Sequence, residues 1–172
     1  MSEIKSIWLL TGSNLGDRQA CLERAARDIQ VTIGRLVRAS ALYETEAWGV
    51  ENQPDYYNQA LEIWTALPPT EVLARLHEIE HNLGRVRQTR WGSRVIDIDL
   101  LFYAGEIVDT PELQVPHPRI QKRNFVLVPM AEIAPDLIHP IFKKTIKTLL
   151  EESDDPCKVR KARVPVFPGS DG

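Results

Sequence analysis

Val95-Ile96-Asp97-Ile98-Asp99-Leu100-Leu101-Phe102-Tyr103 is the most strand-like run of this 172-residue chain, and it is apolar except for two carboxylates. Successive side chains of a strand point to opposite faces. Ile96, Ile98 and Leu100 therefore face a core together, and Asp97 and Asp99 share the other face. Upstream, Pro68-Pro69-Thr70-Glu71 opens a helix with Val72, Leu76, Ile79 and Leu83 as its buried stripe and Gly84 as its stop. Tyr57 to Thr65 alternates as a strand before it, with Asn58, Ala60, Glu62 and Trp64 on one face; residues 44–56 read as a loop. Val37, Ala39, Ala41 and Tyr43 alternate as another strand. At the start, Ile7-Trp8-Leu9-Leu10 is a buried strand and Thr11 to Asp17 a turn. The helix that follows carries Leu22, Ala25, Ala26, Ile29 and Ile33 at helical spacing, with Asp17 as cap and Gly34 as a left-handed stop.

Downstream of the acidic run, Ala104-Gly105 turns the chain into a short returning strand near Ile107-Val108. Helices are expected from Asn124 to Ile133, halted before Pro135, and from Thr145 to Glu152. The order β, α, β, β, α, β predicts an α+β, ferredoxin-like two-layer sandwich, a largely antiparallel sheet with helices packed on its faces; that order alone groups its helices on one face. Residues 1–152 are expected to form a single domain and residues 153–172 a peripheral C-terminal tail.

Composition narrows the class. With 43% hydrophobic residues, 26% charged and 9 Gly, the chain is globular, not collagenous or low-complexity. Its apolar stretches fall short of the ~20 residues that span a bilayer, and no signal peptide is visible, so no membrane partner is expected. Cys21 and Cys157 offer neither a disulfide framework nor a metal spacing, and a cytoplasmic location is the expectation. A net charge of −3 argues against a surface that tracks nucleic acid throughout.

The charge is unevenly distributed. Residues 85–94 hold Arg85, Arg87, Arg90 and Arg94 without an acid, next to Asp97 and Asp99. Taken alone, the acids are either solvated or a site for a hard cation, and the arginines either a solvated face or an anion site. Together they are the equipment that polyphosphate binding requires. Neither a P-loop nor a Rossmann glycine motif is present, so side chains and metal would have to hold the phosphates. His117, Arg119, Lys122 and Arg123 form a second basic group. His77 and His81 stand at zinc-ligand spacing on a helix without a matching third ligand. Tyr56 and Phe125 are aromatics that can stack on a flat ring, although for Phe125 the sequence alone prefers core packing, and Asn58 offers donors and acceptors to a heterocycle edge or to a neighbouring strand.

Arg90-Trp91-Gly92-Ser93-Arg94-Val95-Ile96-Asp97-Ile98-Asp99-Leu100-Leu101 resembles the signature of the 6-hydroxymethyl-7,8-dihydropterin pyrophosphokinases. Gly12-Ser13-Asn14-Leu15-Gly16-Asp17, Gln53-Pro54-Asp55-Tyr56-Tyr57-Asn58, Gly84-Arg85-Val86-Arg87 and Val115-Pro116-His117 resemble that family's other blocks, in its order, over about residues 5–150. The resemblance implies transfer of pyrophosphate from ATP to the pterin hydroxymethyl group, in folate biosynthesis. It implies two Mg²⁺ ions on Asp97 and Asp99, and catalytic charge neutralisation by Arg87 and Arg94. Glu80, Arg85, Trp91, Ile98, His117 and Arg123 would serve ATP, with Arg85 and Trp91 on a closing loop. Thr45, Glu46, Trp48, Tyr56, Asn58 and Phe125 would serve the pterin. A monomer is expected. Glu46, Trp48, Glu112 and Pro118 depart from the family's usual residues. The rival classes are a nucleic-acid-binding module, whose aromatic-rich strand motif is missing, and a non-catalytic ligand-binding domain, which would not require all the arginines.

Overall fold

In the computed structural model, residues 3–14, 17–45, 55–84 and 96–163 are described. Eight strands and four α-helices alternate along them: β1 (Lys5–Ser13), α1 (Arg18–Thr32), β2 (Gly34–Ala39), β3 (Tyr43–Thr45), β4 (Tyr56–Thr65), α2 (Pro69–Gly84), β5 (Asp97–Tyr103), β6 (Val108–Asp109), β7 (Gln114–Val115), α3 (Asn124–Ile133), α4 (Ile146–Glu152) and β8 (Val159–Lys161). A single 3₁₀ turn at Ile120–Lys122 precedes α3.

The main sheet runs β5-β1-β4-β3-β8, with β2 also paired to β4, and every pairing is antiparallel. The α+β, ferredoxin-like arrangement expected from the element order is the one found. Where one strand was expected at residues 37–43, β2 and β3 follow each other along the edge of β4, separated at Ser40, whose hydroxyl accepts the Ala60 N–H at 2.9 Å. The chain after Tyr103 does not return to β5: β6 pairs with β7 in a separate two-stranded ribbon.

The sheet is covered on both faces. Ile7, Leu9, Leu61, Ile63, Ile98 and Leu100 pack against Leu22, Ala25 and Ile29 of α1 and Val72, Leu76 and Ile79 of α2. On the opposite face Trp8, Leu10, Ala60, Leu101 and Phe102 pack against Val126, Leu127, Met130 and Ile133 of α3 and Ile146 and Leu149 of α4. The four helices therefore do not share the face to which the β-α-β-β-α-β order alone assigns them, because β1 is apolar on both sides and the second side needs its own cover. Side chains from β2 and β3 fasten this second layer. Arg38 donates to the Ile133 carbonyl at the end of α3, and the Tyr43 hydroxyl donates to Glu132 at 2.5 Å. Burial, and then this bond to a carboxylate, push the Tyr43 phenol up to about 12.

The helix ends follow local chemistry. Asp17 Oδ1 accepts the Ala20 N–H at the start of α1, Pro69 occupies the first position of α2, and Thr145 Oγ1 accepts the Thr148 N–H at the start of α4. Gly34 is not the left-handed stop expected of it. It opens β2, where a Cβ would lie 2.0 Å from the Trp64 carbonyl oxygen, so close strand approach requires the glycine. Likewise Thr11 to Ser13, read as turn, belong to β1 and pair with both β4 and β5 up to Gly12. Residues 153–163, expected at the periphery, supply the edge strand β8.

Candidate active site

Strand register assembles the site. On one row of the sheet Asp97 of β5 stands opposite Gly12 of β1, Gly12 opposite Asn58 of β4, and Asn58 opposite Tyr43 of β3. Asp99 stands opposite Leu10, one row further along on the same face. With neighbouring strands ~4.8 Å apart, Asp97 and Asn58 sit roughly 10 Å from each other across a residue that has no side chain. The gap is the floor of a cleft of about 380 Å³, walled by Leu10, Thr45, Tyr56, Asn58, Asp97, Asp99, Arg123, Phe125 and Cys157.

The sequence-predicted alternation holds at this point. Ile96, Ile98 and Leu100 are buried in the core beneath α1 and α2, whereas Asp97 and Asp99 are partly exposed and both reach the cleft. Phe125, for which the sequence alone prefers core packing, does more than pack: it touches the second core and also lines the cleft. The Arg123 guanidinium lies 5.5 Å from the centre of its ring, a cation–π distance.

Two groups lining the cleft have unmet hydrogen-bonding capacity. Thr45 is buried and its hydroxyl has no hydrogen-bond partner among the described residues. Asn58 donates one amide N–H to the Thr11 carbonyl at 3.3 Å, which leaves its carbonyl oxygen and second N–H for a ligand. A polar group buried without a partner costs about 1–3 kcal/mol, which a hydrogen-bonding ligand would recover.

A second hollow of about 350 Å³ adjoins the first, walled by Leu73, His77, Glu80, Ile98, Asp99, Glu112, His117 and Pro118, among others. Asp99 lines both. Glu80 Oε2 accepts the Ile98 N–H at 2.9 Å, so α2 is tied to the head of β5 where the acids stand. Burial lowers the His117 pKa; the Asp99 carboxylate pulls against this, and Arg123 and Arg119 add to it. His117 therefore presents a neutral imidazole at neutral pH beside Asp99.

Thr45, Tyr56, Asn58, Asp97, Asp99, Arg123 and Phe125 thus meet at one cleft and Glu80, Ile98 and His117 at its neighbour, while Glu46, Trp48, Arg85, Arg87, Trp91 and Arg94 lie outside the described residues. Among the described residues no group of three or more His, Cys, Asp and Glu can hold a metal, so His77 and His81 lack a third ligand there. No helix among them is long and apolar enough to cross a membrane. Sequence reading missed Leu10, Gly12 and Cys157 as walls of the cleft. Alternation places Leu10 on the face of the acids, but Gly12 needs the strand register and Cys157 the path of the chain after α4.

The model of the 7,8-dihydro-6-hydroxymethylpterin-pyrophosphokinase family matches residues 8–135. A 2-amino-4-hydroxy-6-hydroxymethyldihydropteridine pyrophosphokinase from Methylorubrum extorquens is 45% identical over 148 residues, covering 86% of this chain and 92% of that protein. The protein of the same description from Aquifex aeolicus is 38% identical over 148 residues, with the same coverage. Among solved structures, wild-type Plasmodium falciparum HPPK-DHPS with pteroate superposes with a TM-score of 0.71 at 15% identity, over 88% of this chain and 43% of that one. This chain thus spans less than half of that longer protein, and at this identity the likeness is one of fold.

Proposed function

The chain belongs to the 7,8-dihydro-6-hydroxymethylpterin-pyrophosphokinase family, and from that membership we propose how its cleft is used. The enzyme is an ATP-dependent diphosphotransferase of folate biosynthesis. The pterin hydroxymethyl oxygen bonds to the β-phosphorus of ATP, the bond from that phosphorus to the α-phosphate oxygen breaks, the hydroxyl proton departs, and the products are pterin diphosphate and AMP.

The pterin enters the larger cleft, stacked between Tyr56 and Phe125, with Asn58 and the Thr45 hydroxyl on its edge and Glu46 and Trp48 completing the pocket. ATP occupies the adjoining hollow against Glu80, Ile98, His117 and Arg123. Arg87 and Arg94 neutralise the triphosphate, and Arg85 and Trp91 close over it. Asp97 and Asp99 hold two Mg²⁺ ions. Two carboxylates suit this ion, which keeps waters and takes phosphate oxygens for its remaining ligands. When bound, Mg²⁺ neutralises phosphate charge and acidifies the attacking hydroxyl. No protein nucleophile is needed: positioning and charge stabilisation drive this class of transfer. The enzyme acts as a cytoplasmic monomer with no nucleic-acid or membrane partner, and its domain takes in β8 beyond residue 152.

The observation that carries this reading is Asp99, which lines both hollows and so stands where the two substrates would meet. Incubation with Mg²⁺, ATP and reduced hydroxymethylpterin should yield AMP and pterin diphosphate in equal amounts, and nothing when any component is withheld. ADP would mean ordinary kinase chemistry. Asp97→Ala should abolish turnover; near-normal Mg²⁺-dependent AMP release in that variant refutes the metal assignment.

A further inference from the structure

The chain after α4 lies beyond the family match at residues 8–135, yet it comes back to the wall of the cleft. Three attachments hold it there. β8 adds to β3 with Tyr43 opposite Lys161, Glu44 opposite Arg160 and Thr45 opposite Val159, and the Ala162 N–H donates to the Leu42 carbonyl at 2.8 Å. Arg160 reaches Glu44 at 3.4 Å and Asp55 at 3.2 Å, one residue on each side of the pair Thr45 and Tyr56 that lines the cleft. The third attachment is Asp155. Its Oδ2 accepts the Asn124 N–H at 2.8 Å, its Oδ1 accepts the Cys157 N–H at 2.9 Å, and its carbonyl accepts from Asn124 Nδ2 at 3.3 Å.

Asn124 is the first residue of α3, and its two neighbours, Arg123 and Phe125, give the cleft a cation and one of its aromatic rings. Arg123 holds the N-cap position of α3 and makes no side-chain capping bond. Asp155 supplies the missing acceptor from the far end of the chain and sets a carboxylate against the positive end of the helix. Burial works to raise the Asp155 pKa, but bonds from Asn124 and Cys157, and the Arg123 charge, bring it below the usual carboxylate value. The carboxylate is ionised wherever the enzyme would work.

We propose that Asp155 is a positioning residue for the pterin half of the site: it fixes the first turn of α3 and thereby the direction in which Phe125 and Arg123 enter the cleft, while the strap that carries it closes the wall with Cys157. This rests on the larger cleft being the pterin pocket. A stacking ring must be held in place before the ligand arrives, since ordering it on binding lowers affinity. Loss of the anchor is thus felt as weaker pterin binding before it is felt in the chemical step.

The test is calorimetric titration of the full-length chain with reduced hydroxymethylpterin, in the presence of Mg²⁺ and an ATP analogue that cannot be cleaved between the α and β phosphates, alongside steady-state kinetics. Asp155→Ala should raise the pterin Kd about tenfold, the factor that about 1.4 kcal/mol produces, with KM rising more than kcat falls. Asp155→Asn keeps one acceptor oxygen and should recover part of the affinity; it also serves if the alanine variant does not fold. Thr145→Ala removes the cap of α4, away from the cleft, and should lower the melting temperature while leaving Kd unchanged. A wild-type Kd in both Asp155 variants, or an equal rise in Thr145→Ala, overturns the proposal and leaves Asp155 a merely stabilising cap. A wild-type chain that binds no pterin overturns the reading of the pocket itself, and this inference with it.

Discussion

At the scale of single residues, the site depends on an absence. Gly12 lies between Asp97 and Asn58 in the row that forms the cleft floor, and a Cβ placed on it would stand 2.5 Å from Asn58 Nδ2. Gly12→Ala must therefore push the Asn58 amide off the Thr11 carbonyl and shallow the cleft together. Overpacking of this kind costs about 1–3 kcal/mol, so a fall in the urea midpoint is expected with at least a tenfold rise in pterin KM. In the double variant Gly12→Ala/Asn58→Ala the stability losses should be less than additive, because the clash disappears with the amide; strict additivity would place the damage elsewhere. Asp97 and Asp99 were legible in the sequence because two acids at strand spacing in an apolar run need only the period of two to be placed on one face. Gly12 was not, since its reason for being glycine stands on a strand distant in sequence. The same holds for the strand partner of Gly34.

Elements show the same division between local and distant causes. Helix α3 was legible to its bounds because Pro135 limits it and its residues are apolar over most of the surface, with Val126, Leu127, Met130 and Ile133 all buried. What it packs on was not legible from the helix itself. The signal lay in β1, where Trp8 and Leu10 alternate with Ile7 and Leu9, an apolar run that needs cover on both faces. Because α3 carries Arg123 and Phe125 at its head, core damage on this face should reach the site. Leu127→Ala, at a fully buried position, should cost about 2–5 kcal/mol and also raise pterin KM in conditions where the protein remains folded. Leu22→Ala in α1, equally buried on the other face, should cost a similar amount and leave that KM near wild type. Denaturation curves and kinetics on the two variants, measured at one temperature, decide whether the two layers are coupled to the cleft as unequally as their positions imply.

For the molecule as a whole, acid tests how the second layer is held. His139, almost fully buried in the segment joining α3 to α4, accepts the N–H groups of Ile141 and Phe142 through Nδ1 at 3.2 and 3.3 Å, and its ring contacts Phe142 and Phe102. Burial lowers its pKa, and protonating Nδ1 would turn an acceptor of two bonds into a donor facing two donors. Its folded pKa lies below the unfolded value near ~6.5, so between the two the unfolded chain binds more protons. Stability is then level above about pH 6.5 and falls as the pH drops from there toward the folded value. Asp155 has a folded pKa below the ordinary carboxylate value of ~3.9; the stability it contributes is complete above that value and is lost as the pH falls through its own. Two separate losses are expected on the α3–α4 side, one opening below pH 6.5 and one below pH 4. His139→Asn, which keeps an acceptor near the place of Nδ1 and does not titrate, should reduce the first to the share that His117 contributes in urea midpoints measured across pH 2 to 8, whereas Asp155→Asn should alter the second and leave the first. If the midpoint of the wild type stays constant from pH 7 to 5, His139 is not held neutral by its surroundings, and the segment between the two helices is open to water in solution.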